Sequence, residues 1–231
     1  MPIALPTYRL RHSRRHLRQR QNDNLEQQAQ ALFRSWFIDF NPFKEGKFAE
    51  SELGMIPEGW RVGTLGDLVE IKYGKDHKKL QDGSIPVFGS GGIMRYAEKP
   101  LYSEESVLIP RKGTLNNVIY VNKPFWTVDT MFYTVMKIPG IAKFIYLFVN
   151  PLDLASMNSG SAVPSMTTEI LNGIKLVIPA NEVLKQFTSV VSPLFVTHER
   201  NESENRNLAE LRDSLLPKLM SGELKIEEMN R

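Results

Sequence analysis

Side chains able to do covalent or metal chemistry are scarce in this 231-residue chain, and none stands in a catalytic spacing. There are no cysteines, which removes disulfides and thiolate metal sites, and only four histidines, His12, His16, His77 and His198. His12 and His16 are four residues apart, a spacing that suits two imidazoles on one helix face, but no carboxylate lies near and the surrounding arginines repel a cation. The stretch Gly89-Ser90-Gly91-Gly92 offers backbone amides that would suit a phosphate. It lacks the strand-GxGxxG-helix setting of a nucleotide site and reads as a turn. Asn122-Lys123-Pro124-Phe125 misses the second proline of the Asn-Pro-Pro-aromatic motif of amino-methyltransferases, and no GxxxxGK(S/T) phosphate loop is present. No catalytic residue, metal or cofactor is expected.

What remains is charge and hydrogen bonding, and the charge is local. Six arginines and no acid lie in residues 1–20, so the rest carries 23 basic against 26 acidic side chains and the formal net charge of +3 says little. A surface for nucleic acid must then be a patch, because phosphate contacts need clustered Lys and Arg and not a high average. Two internal clusters qualify, Lys72 to Lys79 (KYGKDHKK) and Arg111-Lys112-Gly113-Thr114. A solvated face explains the lysine run equally well. For Arg111 and Lys112 a nucleic-acid contact is favoured, because Gly113 frees the backbone for close approach and Val107 to Pro110 before it reads as a buried strand.

Three regions must position these groups. From about Arg14 to Phe40, apolar residues recur at spacings near three, four and seven, the mark of a helix with one apolar stripe, and Asn41-Pro42 is expected to stop it. From Ser51 to Pro179 short apolar or alternating runs (SVLIP, NNVIYV, MFYTVMKI, IKLVIP) are separated by Gly, Pro and Asn, which predicts a mixed α/β domain with Phe125, Trp126, Phe132 and Tyr133 in its core. From Asn181 to about Ser221 the helical spacing returns, with Pro193 and Pro217 each implying a kink or a local boundary and Gly222 ending the run. No apolar run of about 18 residues would span a membrane, and the arginine-rich start has no apolar segment of a signal peptide.

The two helices share a face. NDNLEQQAQALFRSWF (22–37) laid on NRNLAELRDSLLPKLM (205–220) matches Asn22 with Asn205, Asn24 with Asn207, Leu25 with Leu208 and Leu32 with Leu215, and sets Phe33, Trp36 and Phe37 opposite Leu216, Leu219 and Met220. Each stripe needs a partner, either the other helix or a second chain. About 25 residues of helix span roughly 37 Å, close to the roughly 34 Å of one DNA turn. Helices that merely cover a core would show the same periodicity.

SELGMIPEGW (51–60), IPVFGSGG (85–92), VLIPRKGTLNNV (107–118), PFWTVDTMFY (124–133), SGSAVPSMT (159–167) and LRDSLLPKLMSGEL (211–224), in this order and with the flanking helices, resemble the specificity subunit of type I restriction-modification systems. The resemblance covers the chain from about Asn22. It implies an α+β fold in which one mixed α/β target-recognition domain is flanked by long amphipathic helices packed as an antiparallel coiled-coil spacer. The implied division is a basic tail (1–21), a partial first spacer helix (22–50), the recognition domain (51–180) and a whole second spacer helix (181–231). Full-length members resemble two such copies in tandem, so this chain looks like half of one; Arg9 to Gln21 lacks an apolar counterpart to the segment around Leu194.

The resemblance implies a non-catalytic, cytoplasmic subunit that binds double-stranded DNA and directs methyltransferase and restriction subunits, which carry S-adenosylmethionine, ATP and Mg²⁺ themselves. It would act as a homodimer or paired with another half-subunit. A scaffold that no longer reads DNA and only sequesters methyltransferase subunits is the alternative. Reading DNA needs Arg or Lys on guanine, Asn or Gln on adenine, and Lys, Ser, Thr and backbone amides on phosphates. The candidates are Lys75, Lys78, Lys79, Ser90, Arg95, Arg111, Lys112, Thr114, Asn116, Ser159 and Ser161. For the spacer and partner interface they are Leu25, Leu32, Trp36, Phe37, Leu208, Leu211, Leu215 and Leu219.

Overall fold

The first apolar stripe folds as one long helix, α1 (Pro6–Phe37), which begins inside the segment expected as a basic tail. Proline tolerates the first helical turn, and the Arg, Leu and Gln residues that follow are good helix formers. The computed structural model describes residues 6–157 and 165–223, with side chains from residue 19 onward. Helix α1 stops short of Asn41-Pro42. The amides of Ile38 and Asp39 both donate to the Arg34 carbonyl, at 3.0 and 2.9 Å. Phe40 then turns the chain with φ 51°, a left-handed conformation unusual for a bulky residue, and its ring is held against Phe48 and Trp60 at 6.0 and 5.6 Å.

The described chain divides into two compact units, Ala31–Val191 and Met1–Gln30 with Ser192–Arg231. In the larger unit, β1 (Phe48–Ser51) and β2 (Gly54–Pro57) form a hairpin. Strand β3 (Arg61–Thr64) leads into the short helix α2 (Leu65–Leu68), capped reciprocally by Thr64 and Asp67. Then come β4 (Val69–Tyr73), β5 (Asp82–Gly89), β6 (Gly92–Ala97), β7 (Ser106–Pro110), β8 (Ile119–Val121), β9 (Trp126–Thr127) and β10 (Met131–Met136). Helices α3 (Ala142–Val149) and α4 (Thr168–Asn172), strand β11 (Lys175–Ile178) and the long helix α5 (Asn181–Met220) complete the order.

An antiparallel sheet in the order β4-β10-β7-β8 carries the unit, and β6-β5-β9 forms a second sheet in which β5 and β9 run parallel. Every residue of β7 is buried, as its unbroken apolar run predicts, with α3 packed against β7 and β8. Backbone pairing between β7 and β10 stops at Tyr133 and Leu108, and hydroxyls continue it. The Ser106 Oγ accepts from the Thr134 amide at 3.0 Å, and the Thr134 Oγ1 accepts from the Val107 amide at 2.8 Å. Both groups are fully buried, so this satisfies amides that would otherwise be orphaned. Val87, Leu108, Phe125, Trp126 and Met131 form one core cluster, which places Phe125 and Trp126 inside the domain as expected.

A second cluster is aromatic. Phe37, 4% exposed, lies 4.7 Å from Phe187, 4.9 Å from Phe144 and 5.1 Å from Phe33 between ring centroids. The start of α5 supplies Leu184, Phe187 and Val191 to it as one apolar face.

Lys143 on α3 is only 9% exposed and depends on Glu105, just before β7. The Glu105 carboxylate accepts from Lys143 Nζ at 2.9 Å and from the Tyr120 hydroxyl at 2.7 Å. Burial pushes the Glu105 carboxyl up, but these two hydrogen bonds and the lysine charge outweigh it and hold it below its ordinary value. Such a group stabilises the fold at neutral pH, and the contribution disappears as pH falls through its lowered pKa. Glu105→Gln should cost about 1–2 kcal/mol at neutral pH, less than a fully buried pair because the Glu105 side chain is 34% exposed. Its unfolding midpoint should also fall less than that of wild type on acidification below about pH 4. Parallel curves for the two proteins would remove the pair from the acid response.

In the smaller unit the side chain of Asn22 is 3% exposed and satisfied at both ends. Its Nδ2 donates to Glu202 Oε1 at 2.9 Å and its Oδ1 accepts from Asn201 Nδ2 at 2.8 Å. Further along α5, Leu208 and Leu211 are 50% and 54% exposed, while Leu215 and Leu219 are half-buried. Pro193 and Pro217 both lie inside α5, whose helical assignment runs through them. Among the described residues no helix is long and apolar enough to cross a membrane.

Candidate nucleic-acid interface

Three loops of the larger unit meet on one face, beside a cavity of about 580 Å³ that the first two line together with Met94, Val128, Asp129 and Thr130. The first follows β4. Gly74 is pressed so close to the backbone that an added Cβ would lie 2.0 Å from the Val128 carbonyl oxygen, and its amide donates to Met131. The Lys75 amide donates to the Thr127 carbonyl at 2.9 Å, and the Trp126 indole donates to the Lys75 carbonyl at 2.9 Å. These bonds tie the base of the lysine run to β9, leaving the side chains of Lys75, Lys78 and Lys79 exposed. Within the loop Asp76 accepts from the Lys78 amide at 3.1 Å, a bond that, with the nearby Lys78 and His77, holds its carboxyl below the ordinary value.

The second loop is the turn Ser90-Gly91 joining β5 to β6. Strand follows it, not helix, so the glycine-rich stretch is a hairpin turn, as expected. The third loop follows β7. Arg111 and Lys112 donate backbone amides to the Thr130 carbonyl at 2.8 and 3.2 Å, and the Asn117 amide side chain donates to the Ser90 carbonyl at 2.7 Å. Gly113 has φ 85°, and a Cβ there would sit 2.8 Å from the Ser90 hydroxyl. Its need for glycine is conformational, since the Ser90 hydroxyl could rotate away from a Cβ but the backbone angle could not change.

The guanidinium of Arg111 lies over the Tyr73 ring, 5.2 Å from its centroid, and donates to the Asp129 carbonyl at 3.3 Å. Planar support of this kind holds the fork in one orientation while leaving donors for an anion or a base edge. Lys112 and Thr114 are exposed. Asp76, His77, Lys78, Ser90, Asp129 and Thr130 line the cavity together with Met94.

Other candidates are placed differently. The Asn116 amide donates to Asp153 Oδ1 at 3.2 Å and accepts from the Ala155 amide at 2.9 Å, so both ends that would read adenine are used inside the protein. Arg95 donates to Asp82 Oδ1 at 2.7 Å and to the Leu80 carbonyl at 3.0 Å. Ser159 and Ser161 lie outside the described residues, as do the side chains of His12 and His16. Of the helix candidates, Phe37 is inside the aromatic cluster and not accessible to a partner. Trp36 is half-buried, 5.6 Å from Phe187, and Leu25 and Leu32 are half-buried on α1.

Tyr73, Met94, Asp129 and Thr130 join the site without having been expected there individually. Tyr73 stands within the lysine run, where an aromatic among cations is a readable signal. Met94 carries no signal, because its position depends on strand pairing. Nothing in the sequence near Asp129-Thr130 links them to Arg111.

Residues 57–211 match the model of the type I restriction modification DNA specificity domain. The chain is 30% identical to the type I restriction enzyme MjaIX specificity subunit of Methanocaldococcus jannaschii over 92% of its length and 56% of that protein. It is 23% identical to the HindI specificity subunit of Haemophilus influenzae over 88% of its length and 62% of that protein. It thus spans little more than half the length of these relatives. Among solved structures it is similar in fold to the type I restriction-modification S subunit from M. genitalium, with a TM-score of 0.63 at 18% identity, covering 88% of this chain and 54% of that one. The match over residues 57–211, two thirds of the chain, and the identity to MjaIX mean that this chain belongs to the type I restriction-modification DNA specificity family.

Proposed function

We propose that the chain is a non-catalytic, cytoplasmic DNA-recognition subunit whose larger unit reads one half-site and directs methyltransferase and restriction subunits to it. The observation that carries this reading is the convergence on one open face of the lysine loop and the Ser90-Gly91 turn, which line one cavity, and the Arg111 loop, which is bonded beside them to Ser90 and Thr130 and stacks on Tyr73. Each supplies what a duplex asks for: exposed cations for phosphates, an oriented guanidinium for a guanine edge, and glycines that let the backbone approach. Residues 51–180 act as the recognition domain. The stretches 22–50 and 181–231 act as spacer, with the antiparallel seam pinned by the buried Asn22 amide between Asn201 and Glu202. The exposed Leu208 and Leu211 suit a further partner, either a methyltransferase subunit or a second recognition half. With one recognition domain per chain, a homodimer reads two inverted half-sites, and pairing with a different half gives an asymmetric bipartite target.

Co-expression with the cognate methyltransferase subunit and mapping of methylated adenines tests this. One new, split, palindromic motif is the expected result. Purified chain should also bind the corresponding duplex with an affinity that falls steeply with salt, as phosphate contacts release counterions.

A scaffold that sequesters methyltransferase subunits is the second reading. It is favoured by the internal use of Asn116 and Arg95, two of the side chains that would read bases. Assembly without any new methylated motif and without duplex binding at low salt would establish it.

A further inference from the structure

We propose that Met94 reads the C5 methyl group of a thymine in the major groove, a contact that rests on the DNA-reading role proposed above. Two independent features of the fold aim this side chain. Strands β5 and β6 pair Val87 with Arg95 and Phe88 with Ile93, so Met94 is an extra residue on β6 and the register slips at its position. A bulge of this kind bends the strand and re-aims one side chain away from the regular alternation. The thioether reaches back over Gly89, the partner of Gly92 on β5, where a Cβ would lie 2.5 Å from the Met94 sulfur; the missing side chain gives the thioether its place. The result is a methionine 58% exposed at the wall of the cavity.

Its surroundings define what it meets. Asp76, His77, Lys78, Ser90 and Thr130 line the same cavity, and among the described residues lining it Met94 is the one large, exposed apolar side chain. A protein partner with a broad apolar face would find too little to bury there. In the major groove, by contrast, the base edges are polar apart from one protruding apolar group, the thymine methyl. A flexible, polarisable thioether suits contact with a methyl group whose position shifts with groove geometry. Nearby cations hold the backbone, and Met94 distinguishes one pyrimidine.

The test uses the full chain. A duplex enriched from a random synthetic library is remade with each thymine replaced singly by deoxyuridine, which removes the C5 methyl and keeps every hydrogen bond. Synthetic DNA contains no 5-methylcytosine, so thymine is the sole source of that methyl. Wild type should bind about fourfold more weakly when one particular thymine is replaced, the value expected for one methyl group taken out of water. Met94→Ala should bind the thymine and deoxyuridine duplexes equally. Gly89→Ala, which displaces the thioether without altering Met94, should blunt the discrimination in the same way. Because Met94 is exposed, its variant should unfold at the wild-type midpoint, which separates an effect on DNA reading from an effect on folding. Wild type indifferent to every substitution, Met94→Ala with full discrimination, or an enriched site without thymine would each overturn the assignment. Enrichment of no duplex at low salt would instead overturn the DNA-reading role itself.

Discussion

Phe37→Ala should lower the unfolding free energy by about 3–5 kcal/mol, the range for removing a buried aromatic ring whose site cannot collapse. The ring is 4% exposed and touches partners from three separate parts of the larger unit: Phe33 on its own helix, Phe144 on α3 and Phe187 on α5. Trp60, 5.9 Å away, closes a fourth side. The surrounding rings are themselves held by one another, Phe33 against Phe144 and Phe187 and Trp60 against Phe40 and Phe43, which limits how far they can move to fill a cavity there. Ile38, the next residue, is 58% exposed, and Ile38→Ala should change stability by less than about 0.5 kcal/mol. Denaturant titration of both variants checks the contrast. A destabilisation by Phe37→Ala no larger than that by Ile38→Ala would mean that the aromatic cluster does not hold the end of α1 to the domain.

On the proposed function, Arg111→Ala should weaken binding to the enriched duplex roughly 10- to 100-fold, as expected for removal of one bidentate hydrogen-bond pair to guanine. The unfolding midpoint should barely move, because the guanidinium stacks on an exposed ring, Tyr73, and makes one long bond to Asp129. Lys112→Ala provides the contrast. Removing a phosphate-bound ammonium there should weaken all duplexes alike and lower the salt dependence by about one counterion, whereas Arg111→Ala should also relax preference at one base pair. Arg111→Lys should recover little, since a lysine cannot reproduce the planar fork over Tyr73. Unchanged binding in both alanine variants would remove this loop from the interface.

Much of the architecture is legible from residue order alone. Periods of three and four announce α1 and α5, the unbroken run SVLIP announces a buried strand, and Gly89 to Gly92 announces a turn, because these features depend on local backbone geometry and on which face is apolar. The order of the motifs is enough to reach the family. Periodicity does not say what covers an apolar stripe. Phe37 and Leu211 belong to similar stripes, yet one is enclosed by rings of the α/β unit and the other is open, because the partner of a face is a property of the whole chain. The site divides in the same way. Arg111, Lys112 and Gly113 are readable as a cluster since they are neighbours in sequence. The support from Tyr73, the diversion of Asn116 to Asp153 and Ala155 and the re-aiming of Met94 by a slipped register are not. They follow from pairings across 38, 37 and about 5–8 positions, and side-chain direction there is decided by sheet register and loop packing, which only the tertiary structure specifies.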